Sequence, residues 1–302
     1  MAPPQRSGLL GVRGGLSVDH LVAVGAGGWF DQLGGPGLYA ALGGRLVAGT
    51  AVRLATALPE DDDRFGALFE DLGIDTTWSS SVPTVPRVWI LNSPEGRRIV
   101  ATAPPSAVEL ELGEQPLEAE PALPDADGFG EGLQALLDSS PLARSRAGAS
   151  TVTGVDPHQL ALHSEGLRYL RRVTPANGIL LPSRVQLGLI DGDARAAARR
   201  LASELQVPVV ARLDREGMYL VTAEGTWTMH DEAVRVRETT GAGDSSAAAI
   251  LAALAGGADL PTAVRFGISV ARIALSAPGP TALLGSAPLT SPFPDIRTNQ
   301  DS

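Results

Sequence analysis

The chain has 302 residues but contains no cysteine and no lysine, and only 4% of its residues are aromatic. Without cysteine it can form neither disulfides nor thiolate zinc sites, and it has no thiol nucleophile. The missing lysine argues against P-loop nucleotide hydrolases and Schiff-base enzymes, since both classes need a lysine amine. All 24 residues counted as Lys or Arg are therefore arginines. Whatever chemistry the protein performs must do without both missing side chains.

Long hydrophobic runs and an excess of positive charge are also missing. No apolar run reaches the ~18 residues that span a bilayer, and the first residues lack a basic segment followed by an apolar one. We therefore expect neither a membrane span nor a secretory signal. The net charge is −10, whereas nucleic-acid binders usually carry a basic stripe. These features predict a cytoplasmic protein whose partner is a small molecule rather than a nucleic acid or a membrane.

Apolar segments with strand spacing and with helix spacing alternate along most of the chain. This alternation predicts an α/β fold with a mostly parallel sheet covered by helices on both faces. Two hairpins, around residues 21–30 and 88–101, lie outside that rhythm. The segment 104–150 is the least legible, and we expect one short helix there, at about 133–137. In such sheets ligands bind beyond the carboxyl ends of the strands, so the chemistry is expected in strand-to-helix loops.

The clearest chemical signal is the segment Glu238–Ser245, with the sequence ETTGAGDS, which runs into a helix of small residues. Gly241 and Gly243 permit a tight turn that brings successive backbone amides to one point. The positive end of the following helix faces the same point, which makes an anion site suited to a phosphoryl group. Asp244 at its edge can accept a proton from a substrate hydroxyl. The alternative is a tight loop with an aspartate that only caps the helix.

This segment resembles the Asp-Thr-Thr-Gly-Ala-Gly-Asp signature of the ribokinase-like (PfkB-type) carbohydrate kinases. Gly14–Asp19 resembles the first-strand motif of that family, which ends on a sugar-binding aspartate, and Gly34–Ala41 resembles its Gly-Gly substrate loop. The resemblance implies a three-layer α/β/α sandwich with a mostly parallel central sheet and a small β lid. We predict one such domain at residues 1–285, with lid strands within about 16–33 and 84–103, and a flexible tail at 286–302.

The resemblance also implies a role for each matching residue. Asp244 is expected to be the general base, and the anion hole is expected at Gly241, Ala242 and Gly243. The residues expected to hold the hydroxylated substrate are Asp19, Gly34, Gly35 and Tyr39. Those expected to bind the nucleotide are Ser183, Arg212, Leu213, Gly217 and Thr239. The implied activity is an ATP-dependent kinase, using magnesium, that phosphorylates a hydroxyl of a sugar, cyclitol or nucleoside. Pairing of lid strands between subunits would make it a homodimer.

Departures from the family pattern fall on the nucleotide and metal side. The family usually carries Asn-x-x-Glu where this chain has Ser183 and Gln186, and neutral Gln186 cannot favour a hydrated magnesium ion. Asp214 replaces the first glycine of the Leu-Gly-x-x-Gly nucleotide loop and would repel phosphate unless it points away. Arg184 or Arg212 could contact phosphate instead, or either could be ordinary surface charge.

We therefore predict no metal ligand among the protein's side chains, and the pair His158 and His163 has poor helical spacing for one ion. The same departures support an alternative function. In it the chain keeps the kinase fold but binds a ligand or a partner without efficient phosphoryl transfer.

Overall fold

The computed structural model describes residues 8–93, 96–102, 123–124, 128–144, 148 and 151–301. Strands and helices alternate along them, as the sequence predicts. The strands are β1 (Gly8–Arg13), β2 (Ser17–Ala23), β3 (Gly27–Gly34), β4 (Thr50–Ala55), β5 (Ala57–Pro59), β6 (Ser80–Val82), β7 (Arg87–Ser93), β8 (Gly96–Thr102), β9 (Ala135–Ser139), β10 (Val152–Asp156), β11 (Gly178–Leu180), β12 (Val209–Arg212), β13 (Met218–Thr222), β14 (Gly225–Asp231) and β15 (Ile296–Asp301). The helices are α1 (Pro36–Arg45), α2 (Arg64–Asp71), α3 (Gln159–Glu165), α4 (Leu167–Val173), α5 (Arg184–Gly188), α6 (Ala194–Leu205), α7 (Ala242–Ala255), α8 (Leu260–Ala274) and α9 (Thr281–Gly285).

The main sheet has the strand order β15-β14-β13-β12-β11-β10-β9-β1-β4 within the described residues. From β4 to β12 neighbouring strands are parallel, and β13, β14 and β15 continue the sheet as antiparallel strands. Parallel strands buried on both faces need helical crossovers, which explains the alternating sequence pattern. The carboxyl ends of β9, β10, β11 and β12 lie at one edge, where polar side chains can meet in loops.

Two apolar layers cover the sheet, so that the fold is the predicted three-layer α/β/α sandwich. One core contains buried residues of α1, α7 and α8, such as Leu38, Ile250 and Val264. The other contains buried residues of α4 and α6, such as Leu170 and Leu201. In the described part of the chain, no helix combines the length and the apolar character needed to cross a bilayer.

The helix predicted at about 133–137 is wrong, because these residues lead into the central strand β9. Leu136 pairs with Gly11 of β1, and Leu137 pairs with Gly154 of β10. A short apolar run buried on both faces has no alternation, so periodicity alone cannot separate it from a helix. Most of the remaining segment 104–150 lies outside the described residues. Helices α3 and α4 are separated at Gly166, whose φ is 58°.

A smaller sheet forms the lid, with the strand order β3-β2-β7-β8. Both predicted hairpins are present, as the antiparallel pairs β2–β3 and β7–β8. The sequence motif placed Asp19 at the end of the first strand, but in the structure Asp19 lies inside strand β2. The chain turns at residues 14–16 and starts the lid at Ser17. Residue 103, the end of the predicted lid segment, lies outside the described residues.

The prediction of a flexible tail from residue 286 is wrong for its last part. Ile296–Asp301 forms the edge strand β15, which pairs antiparallel with β14. Ile296 is buried and belongs to the main core, where it anchors the strand. The polar composition that suggested a frayed tail belongs instead to an exposed edge strand, five of whose residues face solvent.

Candidate active site

The loop that carries the predicted anion site sits at the start of helix α7. Gly241 caps this helix with a φ of 75°, a left-handed conformation that favours glycine. A Cβ atom at Gly241 would also overlap the aromatic ring of Tyr39 in α1. The first intrahelical hydrogen bond here runs from Ser245 N to Gly241 O at 2.9 Å. The amides of Gly243 and Asp244 precede it and stand at the positive end of the helix, where an anion can accept from them.

The Asp244 side chain lies in the first turn of α7, half-buried at the edge of this loop. Burial, with a smaller contribution from the charge of Asp156, raises the pKa of Asp244 to about 6. The nearby positive charges of Arg212 and Arg97 act in the opposite direction on this pKa. Ser139 Oγ, at the end of β9, donates a weak hydrogen bond to Asp244 Oδ1 at 3.4 Å. A carboxylate with a pKa near neutrality can remove a proton from a hydroxyl and still be ionised at pH 7.

Asp19 faces the same space from the lid strand β2. It is only 2% exposed, and Ser17 Oγ donates a hydrogen bond to its Oδ1 at 2.6 Å. Burial raises the pKa of Asp19 to about 6, and the charges of Glu238 and Asp244 add to the rise. A Cβ atom at Gly34 would overlap the Asp19 carboxylate, so the predicted Gly-Gly loop leaves the space that this carboxylate fills. The structure therefore brings Asp19 against Gly34, with Asp244 near enough for its charge to act on Asp19.

Gly35 and Tyr39, which were predicted to hold the substrate, lie at the start of α1 and within it. Gly35 starts α1 with a φ of 95°. Tyr39 is buried in α1, its ring lies under Gly241, and its hydroxyl has no partner among the described residues. Burial, with added repulsion from Asp19, raises the pKa of Tyr39 well above its usual value. The Tyr39 ring supports the anion loop from below.

Glu238 connects the anion loop to the lid. Its Oε1 accepts hydrogen bonds from Thr240 N at 2.8 Å and from Thr240 Oγ1 at 2.7 Å. Asn92 Nδ2, on the lid strand β7, donates to the same oxygen at 3.2 Å. Thr239, which was predicted to bind nucleotide, is exposed beside them, and its carbonyl accepts from Ala242 N at 3.4 Å. Glu238 thus holds the loop and one lid strand in a fixed relation.

Ser183, which was predicted to bind nucleotide, and Gln186 together cap helix α5. Ser183 Oγ accepts from Gln186 N at 3.3 Å, and Gln186 Oε1 accepts from Ser183 N at 2.6 Å. This reciprocal pair is a capping box. The Gln186 amide donates to Pro157 O at 2.5 Å and to Asp156 Oδ1 at 3.3 Å. The amide oxygen that could have faced a cation is therefore already used within the protein.

Arg212, at the end of strand β12, is buried beside this capping box. Its Nη2 donates to Asp156 Oδ1 at 2.7 Å, in an ion pair between two largely buried side chains. A Cβ atom at Gly243 would lie 2.9 Å from Arg212 Nη1, so the guanidinium reaches the start of α7. Asp156 and Arg212 therefore form an ion pair beside the anion loop.

The loop Leu213–Gly217, which was predicted to bind nucleotide, is closed by a backbone hydrogen bond although its second residue is not glycine. Asp214 has a φ of 53°, and Leu213 N donates to Gly217 O at 2.8 Å. The exposed Asp214 carboxylate pairs with Arg184 Nε at 3.2 Å. Arg184 also donates to Leu213 O at 3.0 Å and to Glu216 at 2.5 Å. Arg184 thus neutralises the acidic side chains of this loop, which reduces the repulsion expected from Asp214.

Sequence reasoning missed three of the residues that surround Asp244. Asp156 is the last residue of the buried strand β10, a placement that is typical of a site residue in a parallel sheet. Ser139 was missed because its strand was taken for a helix. Arg97 lies on the exposed lid strand β8, next to residues that the structure does not describe. Nothing in its local sequence indicates that its charge reaches both Asp19 and Asp244.

The residues around Arg212 do not fit a protein-bound magnesium ion. Magnesium prefers several oxygen ligands in an octahedron, with carboxylates among them. Asp156 is already paired with Arg212, and Gln186 presents its amide hydrogens to Asp156. No cluster of three acidic or histidine side chains that could hold a metal ion occurs within the described ranges. His158 caps helix α3 by accepting from Ala161 N at 3.2 Å.

A family model described as pfkB family carbohydrate kinase matches residues 184–286, which include the anion loop. The comparison with curated proteins gave no match. Solved structures match over almost the whole chain. Ribokinase from Cryptococcus neoformans var. grubii serotype A, in complex with ADP, is 18% identical with a TM-score of 0.67, covering 94% of this chain and 98% of that one.

Two other solved structures show the same similarity. A fructokinase double mutant from Vibrio cholerae O395, with bound fructose, ADP and potassium ion, is 16% identical with a TM-score of 0.68, covering 93% and 96% of the two chains. Nucleoside kinase from Burkholderia thailandensis, in complex with inosine, is 13% identical with a TM-score of 0.66, covering 93% and 94%. The chain therefore has the ribokinase-like fold, and the predicted resemblance to PfkB-type carbohydrate kinases is confirmed.

Proposed function

We propose that the protein is an ATP-dependent kinase that transfers the γ-phosphoryl group to a hydroxyl of a sugar, cyclitol or nucleoside. The observation that carries the proposal is the placement of Asp244 at the amino end of α7, with Asp19 facing it from the lid. One carboxylate can then hold the acceptor while the other removes its proton. The solved structures with fructose, inosine and ADP support the substrate classes.

The transfer follows from the positions of these groups. Asp19 accepts hydrogen bonds from the hydroxyls of the acceptor, which positions the reacting hydroxyl near Asp244. The acceptor oxygen forms a bond to the γ-phosphorus as the bond from that phosphorus to the β,γ-bridging oxygen breaks. The hydroxyl proton passes to Asp244, and ADP leaves with the bridging oxygen. The amides of Gly241, Gly243 and Asp244 stabilise the charge on the phosphoryl oxygens, whereas the amide of Ala242 is bound to the Thr239 carbonyl.

The nucleotide would lie along the loops that follow β11 and β12. Leu213 and Gly217 frame one loop, Ser183 starts the other, and Thr239 begins the anion loop. Arg212 lies between them and can contact phosphate oxygens. Magnesium would enter as the counter-ion of ATP in solution, since the residues here do not fit a protein-bound ion. We also propose a cytoplasmic location and a homodimer formed through the lid.

The test measures ADP release and product mass with ATP and magnesium against a panel of sugars, cyclitols and nucleosides. One acceptor should gain the mass of a phosphoryl group in step with ADP release. The variant Asp244→Asn should lose this transfer. Its matched control is Asp259→Asn, because Asp259 caps the neighbouring helix α8 through a hydrogen bond from Thr262 N at 2.7 Å and lies outside the site. Nucleotide binding without transfer to any acceptor would favour the alternative of a kinase fold used for binding.

A further inference from the structure

We infer that Arg212 is the resident cation of the phosphoryl-transfer site and takes the place that a protein-bound divalent ion would otherwise have. The inference rests on the proposed function, since it concerns the same site. It goes further by assigning the charge that stabilises the transferring group to one side chain of this chain. Transfer would then need no metal ion held by the protein.

The first argument is the position of the guanidinium. Arg212 is the only buried arginine among the described residues, at 9% exposure. Its Nη2 is bound to Asp156, and its Nη1 lies close to Gly243, in the anion loop. Nε is buried without a hydrogen-bond partner among the described residues, and such a donor is costly. A phosphoryl oxygen at the anion loop would give the guanidinium a further acceptor.

The second argument is the charge around this position. Asp156 holds Arg212 by one oxygen, and Gln186 binds that same oxygen through its neutral amide. A carboxylate in place of Gln186 would add a negative charge that attracts a metal ion, whereas the amide does not. A magnesium ion placed here would be repelled by the guanidinium 2.7 Å from Asp156. Arginine is also the side chain best suited to paired contacts with phosphate oxygens.

The third argument is that the neighbouring arginines have other partners or positions. Arg184 is bound to Asp214, Glu216 and the Leu213 carbonyl. Arg97 is exposed on the lid strand β8. Of the arginines in the described ranges, only Arg212 combines burial, an orienting carboxylate and a position beside the anion loop.

The experiment measures ATP affinity by calorimetry, and turnover with the acceptor found above, in magnesium and in excess EDTA. The wild type should bind ATP in EDTA within about threefold of its affinity in magnesium. Arg212→Met should lose affinity in EDTA by about tenfold or more, as expected for a lost hydrogen bond to a charged group. The pair Gln186→Glu with Arg212→Met should recover turnover only when magnesium is added.

Two further variants separate this role from a structural one. Asp156→Asn with Arg212→Met removes both charges, so that no unpaired charge is buried, and it should still lose metal-free binding. Arg272→Met is the matched control, because Arg272 Nε pairs with buried Asp231 at 2.6 Å and lies outside the site. Its ATP affinity should equal that of the wild type.

The outcomes distinguish this inference from the proposed function. Transfer to an acceptor, with ATP affinity that is lost in EDTA and unchanged in Arg212→Met, would overturn the inference and leave the kinase in place. Metal-free ATP binding that is lost in Arg212→Met, without transfer to any acceptor, would support Arg212 as the phosphate-binding cation and overturn the kinase. No ATP binding with or without magnesium would overturn both.

Discussion

Asn92 of the lid donates a hydrogen bond to Glu238 at 3.2 Å, and Glu238 in turn holds the anion loop through Thr240. Residues directly opposite each other in neighbouring strands share a face. Asn92 is paired with Arg97, so the face of the lid that carries these two side chains points to the candidate site. Trp89 is paired with His20 and with Val100, and the face that carries these three side chains points away from the site.

The Asn92 contact predicts that the lid helps to position the acceptor. Asn92→Ala should raise the KM for the acceptor by about fivefold, the equivalent of about 1 kcal/mol for one hydrogen bond, with a smaller effect on kcat. Steady-state kinetics measures both constants. Ser93→Ala, which removes only a bond to Gly96 O within the turn, is the control. An unchanged KM in Asn92→Ala would show that the contact has no role in binding.

The pH dependence of activity should reflect the two carboxylates in the site. Since a general base acts when ionised, kcat/KM should fall as pH drops through about 6, the raised pKa of Asp244 and of Asp19. The charge of Arg97 lowers both pKa values. Arg97→Met should therefore move the midpoint of the profile to higher pH. Arg98→Met, on the opposite face of the same strand, should leave it in place, and identical profiles for all three proteins would contradict this electrostatic account.

The turn at Gly241 should not tolerate a side chain. Gly241→Ala would combine a φ of 75° with an overlap onto the Tyr39 ring, so we expect it to destabilise the fold by more than about 1 kcal/mol. Gly66→Ala is the control, since a Cβ there meets nothing within 4 Å and the residue lies in helix α2. That variant should be stabilised by up to about 1 kcal/mol. Denaturant unfolding compares the two, and equal stabilities would be inconsistent with the geometry.

The outward face of the lid predicts a homodimer. His20, Phe30 and Trp89 form a ring cluster there, with the centroids of His20 and Trp89 4.8 Å apart. Phe30 remains 54% exposed. A second copy of the chain would cover this face. Light scattering at micromolar concentration should give the mass of a dimer, and Phe30→Ser should shift it towards the monomer. A wild-type monomer would contradict the prediction.

Local sequence patterns predicted most of the fold, because helical spacing and strand alternation are short-range properties. The cap at Asp193 is an example: an aspartate directly before a helical repeat is typical of an N-cap, and Asp193 accepts hydrogen bonds from Arg195 N and Ala196 N. Strand β9 was missed because both of its faces are buried, which removes the alternation. Strand β15 was missed because an edge strand can be polar when only Ile296 reaches the core.

The candidate site could be predicted only in part, for a related reason. The segments around Asp19 and Asp244 have recognisable local patterns, so their residues could be named from the sequence. The pair Asp156 and Arg212 comes together from separate strands, at 56 residues' separation. No local pattern indicates such a pair. The neutral Gln186, which stands where the family usually has glutamate, can be interpreted only once it is seen beside this ion pair. The departure of Ser183 and Gln186 from the family pattern can be read from the sequence, but the guanidinium that shares Asp156 with Gln186 is seen only in the structure.

The most direct test of the central claim compares the wild type with Asp244→Asn, using the acceptor identified by the panel. If Asp244 is the base, kcat should fall by about 100- to 10,000-fold. The dissociation constant of ATP should stay within a few-fold of the wild-type value, because the amides at the start of α7 remain. Transfer by Asp244→Asn at close to the wild-type rate would contradict the account.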